Sequence, residues 1–126
     1  MIIRRIILAI LSLPLALFFA FVGWHKVFSP LAELARHHSW TIWLPEWLGK
    51  LVGWSEMACA FALLLGQFPR WYAVTRGAAV GLIANQTVAA AFHLTHGEAN
   101  SLPQNAVLAL MLAMVALLVP PFKERK

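Results

Sequence analysis

Four apolar runs dictate what this chain can fold into. They cover Ile6–Trp24, Gly49–Gly66, Gly77–Leu94 and Asn105–Phe122. At 1.5 Å per residue the first spans roughly 28 Å, close to the hydrocarbon thickness of a bilayer. Within lipid every backbone N–H and C=O must be paired inside its own segment, so runs of this length read as membrane helices. The loops between them are short: Gln67–Arg76 joins the second and third, and His96–Gln104 joins the third and fourth. Helices joined by short loops pack as antiparallel neighbours, and Pro120 with Pro121 stops the last one. The expected fold is an all-α membrane protein, a four-transmembrane-helix up-down bundle forming a single integral-membrane domain over residues 1–126. Composition agrees: 61% of residues are hydrophobic and 12% charged, against about 45–50% and 25% in soluble domains.

A net charge of +5 raises the question of nucleic acid. The basic residues lie singly or in pairs between apolar runs, with no basic face interleaved with aromatics, so no nucleic-acid partner is expected. Membrane lipid is. Their distribution instead sets topology. Arg4, Arg5, Arg70, Arg76, Lys123, Arg125 and Lys126 fall on one side, and Lys26, Arg36 and Lys50 on the other. Both termini are therefore expected in the cytoplasm of a bacterial cell, with the protein in its inner membrane. The first run is long for a signal-peptide core and no small-x-small cleavage site follows it, so a retained helix is expected. Cys59 is the single cysteine, which excludes an intrachain disulfide and a CxxC motif; it reads as a small core residue.

The second run carries a carboxylate, Glu56, in the sequence LVGWSEMACAFALLLG. Counted from Gly49 it lies about 10 Å deep. An unpaired carboxylate at that depth costs several kcal/mol or stays protonated, so it should face the other helices and find a partner. Lys26 is the natural partner, with His25 and His93 as alternates. Gln86 lies two turns below His93 on one face, Asn85 lies beside it on an adjacent face, and Gln104 and Asn105 open the fourth run. Each helix thus offers a polar group toward the outer half of the bundle, while the inner half has almost none. Three readings of the set His25, Lys26, Glu56, Gln86, His93 and Asn105 stay open. Lys26–Glu56 is a structural pair that fixes helix register; or the set binds a polar headgroup, a quinone ring or a lipid head; or His25, Glu56 and His93 ligate a metal. No HxxxH or ExxH spacing supports the last, and no metal is expected. Polar groups are too few at other depths for a transport pathway.

The connector over residues 31–48, LAELARHHSWTIWLPEWL, is the longest non-spanning segment. Pro45 interrupts it, and Trp40, Trp43 and Trp47 recur at spacings suited to the headgroup level. It reads as a short amphipathic or re-entrant segment over the outer mouth, either a plain interfacial anchor or an aromatic lid over a cavity. Gly49 with Gly53, and Gly77 with Gly81, form GxxxG pairs. Small residues at that spacing let helices approach closely, within this bundle or in a homo-oligomer.

These residues also resemble a family. Gly23, Lys26 and Pro30 in GWHKVFSP, followed by Gly53, Glu56 and Gly66, resemble in order and spacing the element that ends helix one, and the G-x-x-E element and later glycine of helix two, in the DoxX-like family of small four-helix membrane proteins. AAFHLTHGEA resembles the end of helix three in that group. The chain ends VPPFKERK where the named DoxX branch has a glycine-proline-glycine element, so the likeness is to the broader DoxX-like group. The resemblance implies an accessory subunit of a membrane redox system, in some members quinone-linked, or an assembly helper that binds another membrane protein. It carries Lys26 and Glu56 over as pattern residues rather than catalytic ones, and implies no covalently bound cofactor.

Overall fold

In the computed structural model, residues 2–120 are described, and no strand occurs among them. The helices are α1 (Ile2–Phe28), α2 (Leu31–Arg36), α3 (Glu46–Leu64), α4 (Tyr72–Thr95) and α5 (Leu102–Leu118), with 3₁₀ turns at Trp40–Trp43, Leu65–Gln67, Pro69–Trp71 and Ala99–Ser101. Four helical stretches are long and apolar enough to cross a membrane: Ile2–Phe28, Glu46–Gln67, Pro69–Thr95 and Ala99–Leu118. The chain is an all-α, multi-pass membrane protein.

α1, α3 and α4 are longer than the apolar runs suggested. α1 starts at Ile2 and carries Arg4, Arg5 and Lys26 within it, and α4 starts at Tyr72. Hydropathy marks only the lipid-facing part of a helix and misses its charged turns. α3 starts at Glu46, so Glu56 is the eleventh residue of the 22 in Glu46–Gln67. That places it near the middle of the span, deeper than counting from Gly49 suggested. α5 stops at Leu118 because Val119 must be extended (φ −67°, ψ 124°) to precede Pro120; the expected end of that span at Phe122, and the charges Lys123, Arg125 and Lys126, lie outside the described residues.

The half of the bundle nearest the start of α1, termed inner, packs a core of Leu8, Leu15, Phe19, Leu63, Leu82, Leu112 and Val115, with Ser12 and Thr75 buried beside them. The outer faces present Leu17, Phe61, Leu110 and Leu117 to lipid. Such residues gain nothing by helix association, since acyl chains are as apolar as leucine, so cohesion comes from close packing and interhelical polar contacts. The closest approach is between α1 and α3. A Cβ on Gly23 would lie 2.6 Å from the carbonyl oxygen of Gly53, and one on Gly53 would lie 2.7 Å from that of Gly23. No side chain fits there, and the two backbones touch.

Candidate polar headgroup site

The Gly23–Gly53 crossing positions the charges. α1 and α3 are antiparallel, so Lys26 sits one turn outward of the crossing and Glu56 one turn inward. Helical side chains tilt toward their own N-terminus. Lys26 therefore leans inward, Glu56 leans outward, and they meet. Lys26 Nζ donates to Glu56 Oε1 at 2.9 Å and Oε2 at 2.8 Å, and Asn85 Nδ2 donates to Oε2 at 2.7 Å. Glu56 is 0% exposed. Three hydrogen bonds, two of them from the charged ammonium, offset the desolvation of a carboxylate this deeply buried. Lys26 Nζ also lies 5.4 Å from the centroid of the Trp40 ring, within cation–π range.

Around this pair lies a cavity of about 280 Å³. Phe18, Phe21, Val22 and Leu108 form its apolar wall, and the polar residues Lys26, Glu56, Gln86, His93 and Asn105 also line it. Asn105 Nδ2 donates to Gln86 Oε1 at 2.7 Å, while Asn105 Oδ1 is buried without a hydrogen bond. Trp40 closes the outer side. It is buried, with its own Nε1 unpaired, and stacks on Phe92 at 5.3 Å. The connector thus returns over the bundle as α2 and a 3₁₀ turn, in keeping with a lid.

Two loops are tied together above the cavity. His93 Nδ1 bonds Glu98 Oε1 at 2.7 Å, and His38 Nδ1 bonds Glu98 Oε2 at 3.0 Å. The hydrogen bond from His93 is the main cause that holds the Glu98 carboxyl below the usual carboxylate range, reinforced by His38 and opposed by burial. The reversal that brings Glu98 back needs Gly97 at φ +75°, and His38 adopts φ +56° on the facing loop. Outside this clamp, Trp43 stacks on His96 at 3.8 Å.

The structure brings five of the six expected site residues into one hydrogen-bonded or facing set: Lys26, Glu56, Gln86, His93 and Asn105. His25 lines the cavity too, but its Nδ1 bonds Ser29 Oγ at 2.8 Å and its ring packs on Phe21, so it is not a partner of Glu56. Nor is His93, whose bond goes to Glu98. Among the described residues no three His, Cys, Asp or Glu side chains gather as a metal site; the set His25, Glu56 and His93 is dispersed by these other bonds. Of the expected lid residues, Trp40 and Trp43 pack over the bundle whereas Trp47 is 68% exposed, because it lies on the first turn of α3 beyond Pro45. Gly49 packs against Thr41, and Gly53 against Gly23, but a Cβ on Gly77 or Gly81 would meet nothing within 4 Å. The expectation of packing within the bundle is corrected for that pair, which faces away from the other helices. Asn85 and Glu98 are hydrogen-bonded neighbours of the set, through Glu56 and His93, that the sequence reading left outside it. Asn85 lies one residue before Gln86, and that adjacency was the available signal.

The sequence matches the DoxX-like family over residues 10–115. No curated protein and no solved structure matches it. The match covers most of the chain, and the chain belongs to that family.

Proposed function

With membership of the DoxX-like family as the premise, we propose that the chain is an accessory subunit of a quinone-linked membrane redox system, holding a quinone-like ring or a lipid headgroup in the cavity beneath Trp40. The observation that carries this reading is the cavity itself. It joins an apolar wall to a convergent set of polar residues, which is the usual composition of a small-molecule site, and it leaves Gln86 Nε2 and His93 Nε2, on buried residues, open and without a hydrogen bond among the described residues. Native proteins leave few such atoms without a partner. The cavity of about 280 Å³ suits one ring or headgroup rather than a whole lipid.

Topology follows from the charges. Arg4, Arg5, Arg70 and Arg76 lie at the end remote from the cavity, and the positive-inside rule assigns that end to the cytoplasm. The protein is then a multi-pass component of a bacterial cytoplasmic membrane with cytoplasmic termini and an outward-facing site. Native mass spectrometry of the detergent-purified protein tests the function, because it reports bound small molecules and subunit count together. A retained ring compound or lipid, lost in the Gln86→Leu variant, is the expected result; an apoprotein under gentle extraction contradicts it. Glu56→Gln is a poor discriminator, since it strands a buried lysine.

A second reading is favoured by the open face at Gly77 and Gly81: a non-enzymatic helper that binds a partner membrane protein, or a second copy, through α4. Gly77→Leu or Gly81→Leu then abolishes co-purification of the partner or the oligomer while leaving the cavity's ligand in place.

A further inference from the structure

Among the described residues that are buried and line the cavity, two polar atoms make no hydrogen bond yet stay open to it: the Gln86 amide nitrogen and His93 Nε2. Their residues are 6% and 7% exposed, yet neither atom is fully enclosed by protein. Their chemistry differs. Nδ1 of His93 is committed to Glu98 Oε1 at 2.7 Å. That same bond holds the Glu98 carboxyl below its ordinary range, so at neutral pH it is a carboxylate, which only accepts. Nδ1 therefore carries the proton, and in the neutral imidazole Nε2 presents a lone pair. With that imidazole neutral, this buried stretch of the wall offers one acceptor at His93 Nε2 and two donors at the Gln86 amide.

Charge narrows the choice further. The Lys26 ammonium is already matched by Glu56, whose carboxylate is deeply buried and held by two side chains. A phosphate drawn to Lys26 displaces that carboxylate and leaves it buried and unpaired, a severe cost.

We infer that the site selects an uncharged ring bearing a hydroxyl, whose O–H donates to His93 Nε2 while a second ring oxygen accepts from Gln86. For a quinone-like ligand this means the reduced, dihydroxy form binds in preference to the dione, and a lipid phosphate is excluded. The inference rests on the ring-binding reading above and specifies its ligand. Glu98 acts as a positioning residue, since it fixes the tautomer and touches no ligand.

The test compares four probes by calorimetric titration of the detergent-purified protein under anaerobic conditions: tetramethylhydroquinone, its dione, its dimethyl ether, and phosphocholine. The hydroquinone is expected to bind about tenfold tighter than the dione and the ether, the worth of one hydrogen bond, and phosphocholine not to bind. In Glu98→Gln, where the amide both donates and accepts, and in His93→Phe, the ratio is expected to fall toward one, while Glu98→Asp retains it. Equal affinity of the wild type for hydroquinone, dione and ether overturns the inference and leaves the ring site standing. Phosphocholine binding as tightly as the hydroquinone also overturns it, in favour of a lipid head. No binding by any ring compound overturns the ring site and the inference with it.

Discussion

The two ends of the bundle handle polarity in opposite ways. At the inner end, charged groups sit outside a largely apolar core, in which Ser12 Oγ is buried unpaired and Thr75 Oγ1 donates to the Ala62 carbonyl. Arg5 Nε donates to Gln67 Oε1 at 3.2 Å in an exposed pair, and Arg76 caps the end of α5 through the carbonyls of Val119 and Pro120 at 2.6 Å each. At the outer end, polar groups are drawn inside and the aromatic residues close over them. Between helices in a membrane, an interior of Leu8, Leu15 and Leu112 needs only to fill space. An interior of Lys26, Glu56, Asn85 and Gln86 must satisfy donors and acceptors one by one, and it leaves some unsatisfied. The inner end has the economy of a scaffold, and the outer end carries the features of a site.

That contrast breaks most sharply at the buried pair. Glu56→Leu alone leaves the Lys26 ammonium uncompensated in the bundle and is expected to cost about 3–5 kcal/mol, enough to lower the yield of monodisperse protein. The double variant Lys26→Met with Glu56→Leu is expected to recover most of that loss, since apolar replacement of a buried ion pair is often neutral. Thermal melts in detergent, read by size-exclusion chromatography, check both. A mild single variant would mean that water reaches the pair.

The next largest effect is steric. Gly53→Leu pushes a side chain into the Gly23 carbonyl and the Val27 methyl, which must splay α1 from α3 and part Lys26 from Glu56. A drop of several kcal/mol is expected, in the range of severe overpacking. Gly81→Leu, with the same motif but open space around it, is expected to leave the melting temperature of the monomer within the roughly 0.5 kcal/mol typical of surface changes.

This pair of glycine motifs shows where the sequence was legible and where it was not. Periodicity and length identified four spans, and the cost of a lone carboxylate in lipid was enough to pair Glu56 with Lys26. The GxxxG spacing, however, is a permission for close approach and names no partner. Gly53 meets Gly23, which belongs to no GxxxG pair, while Gly77 and Gly81 meet nothing. Asn85 escaped for a related reason. Successive helical residues point about 100° apart, which puts Asn85 on a face adjacent to that of Gln86 and names no partner for it. α4 lies between α3 and α5, so Asn85 reaches Glu56 on one flank and Gln86 reaches Asn105 on the other. Glu98 was illegible because its approach to His93 depends on the backbone reversal at Gly97.

Two smaller effects sharpen the comparison. Because the Glu98 carboxyl is held below its ordinary range in the folded protein, the unfolded chain takes up that proton first. The loop clamp therefore stabilises fully above the ordinary glutamate value of about 4.3 and is lost as pH falls through the lowered one. Melts across that window should show the loss in the wild type and a flatter profile in Glu98→Gln. At the other end, Arg5→Ala removes an exposed hydrogen bond and is expected to cost about 0–1 kcal/mol.

The most direct measurement is an experimental density map of the protein extracted in lipid nanodiscs, inspected between Lys26, Gln86 and His93. Planar density contacting Gln86 Nε2 or His93 Nε2 is the expected result. A cavity filled only by ordered water, or by the side chain of Trp40 collapsed onto Glu56, would contradict a built ligand site at the outer end.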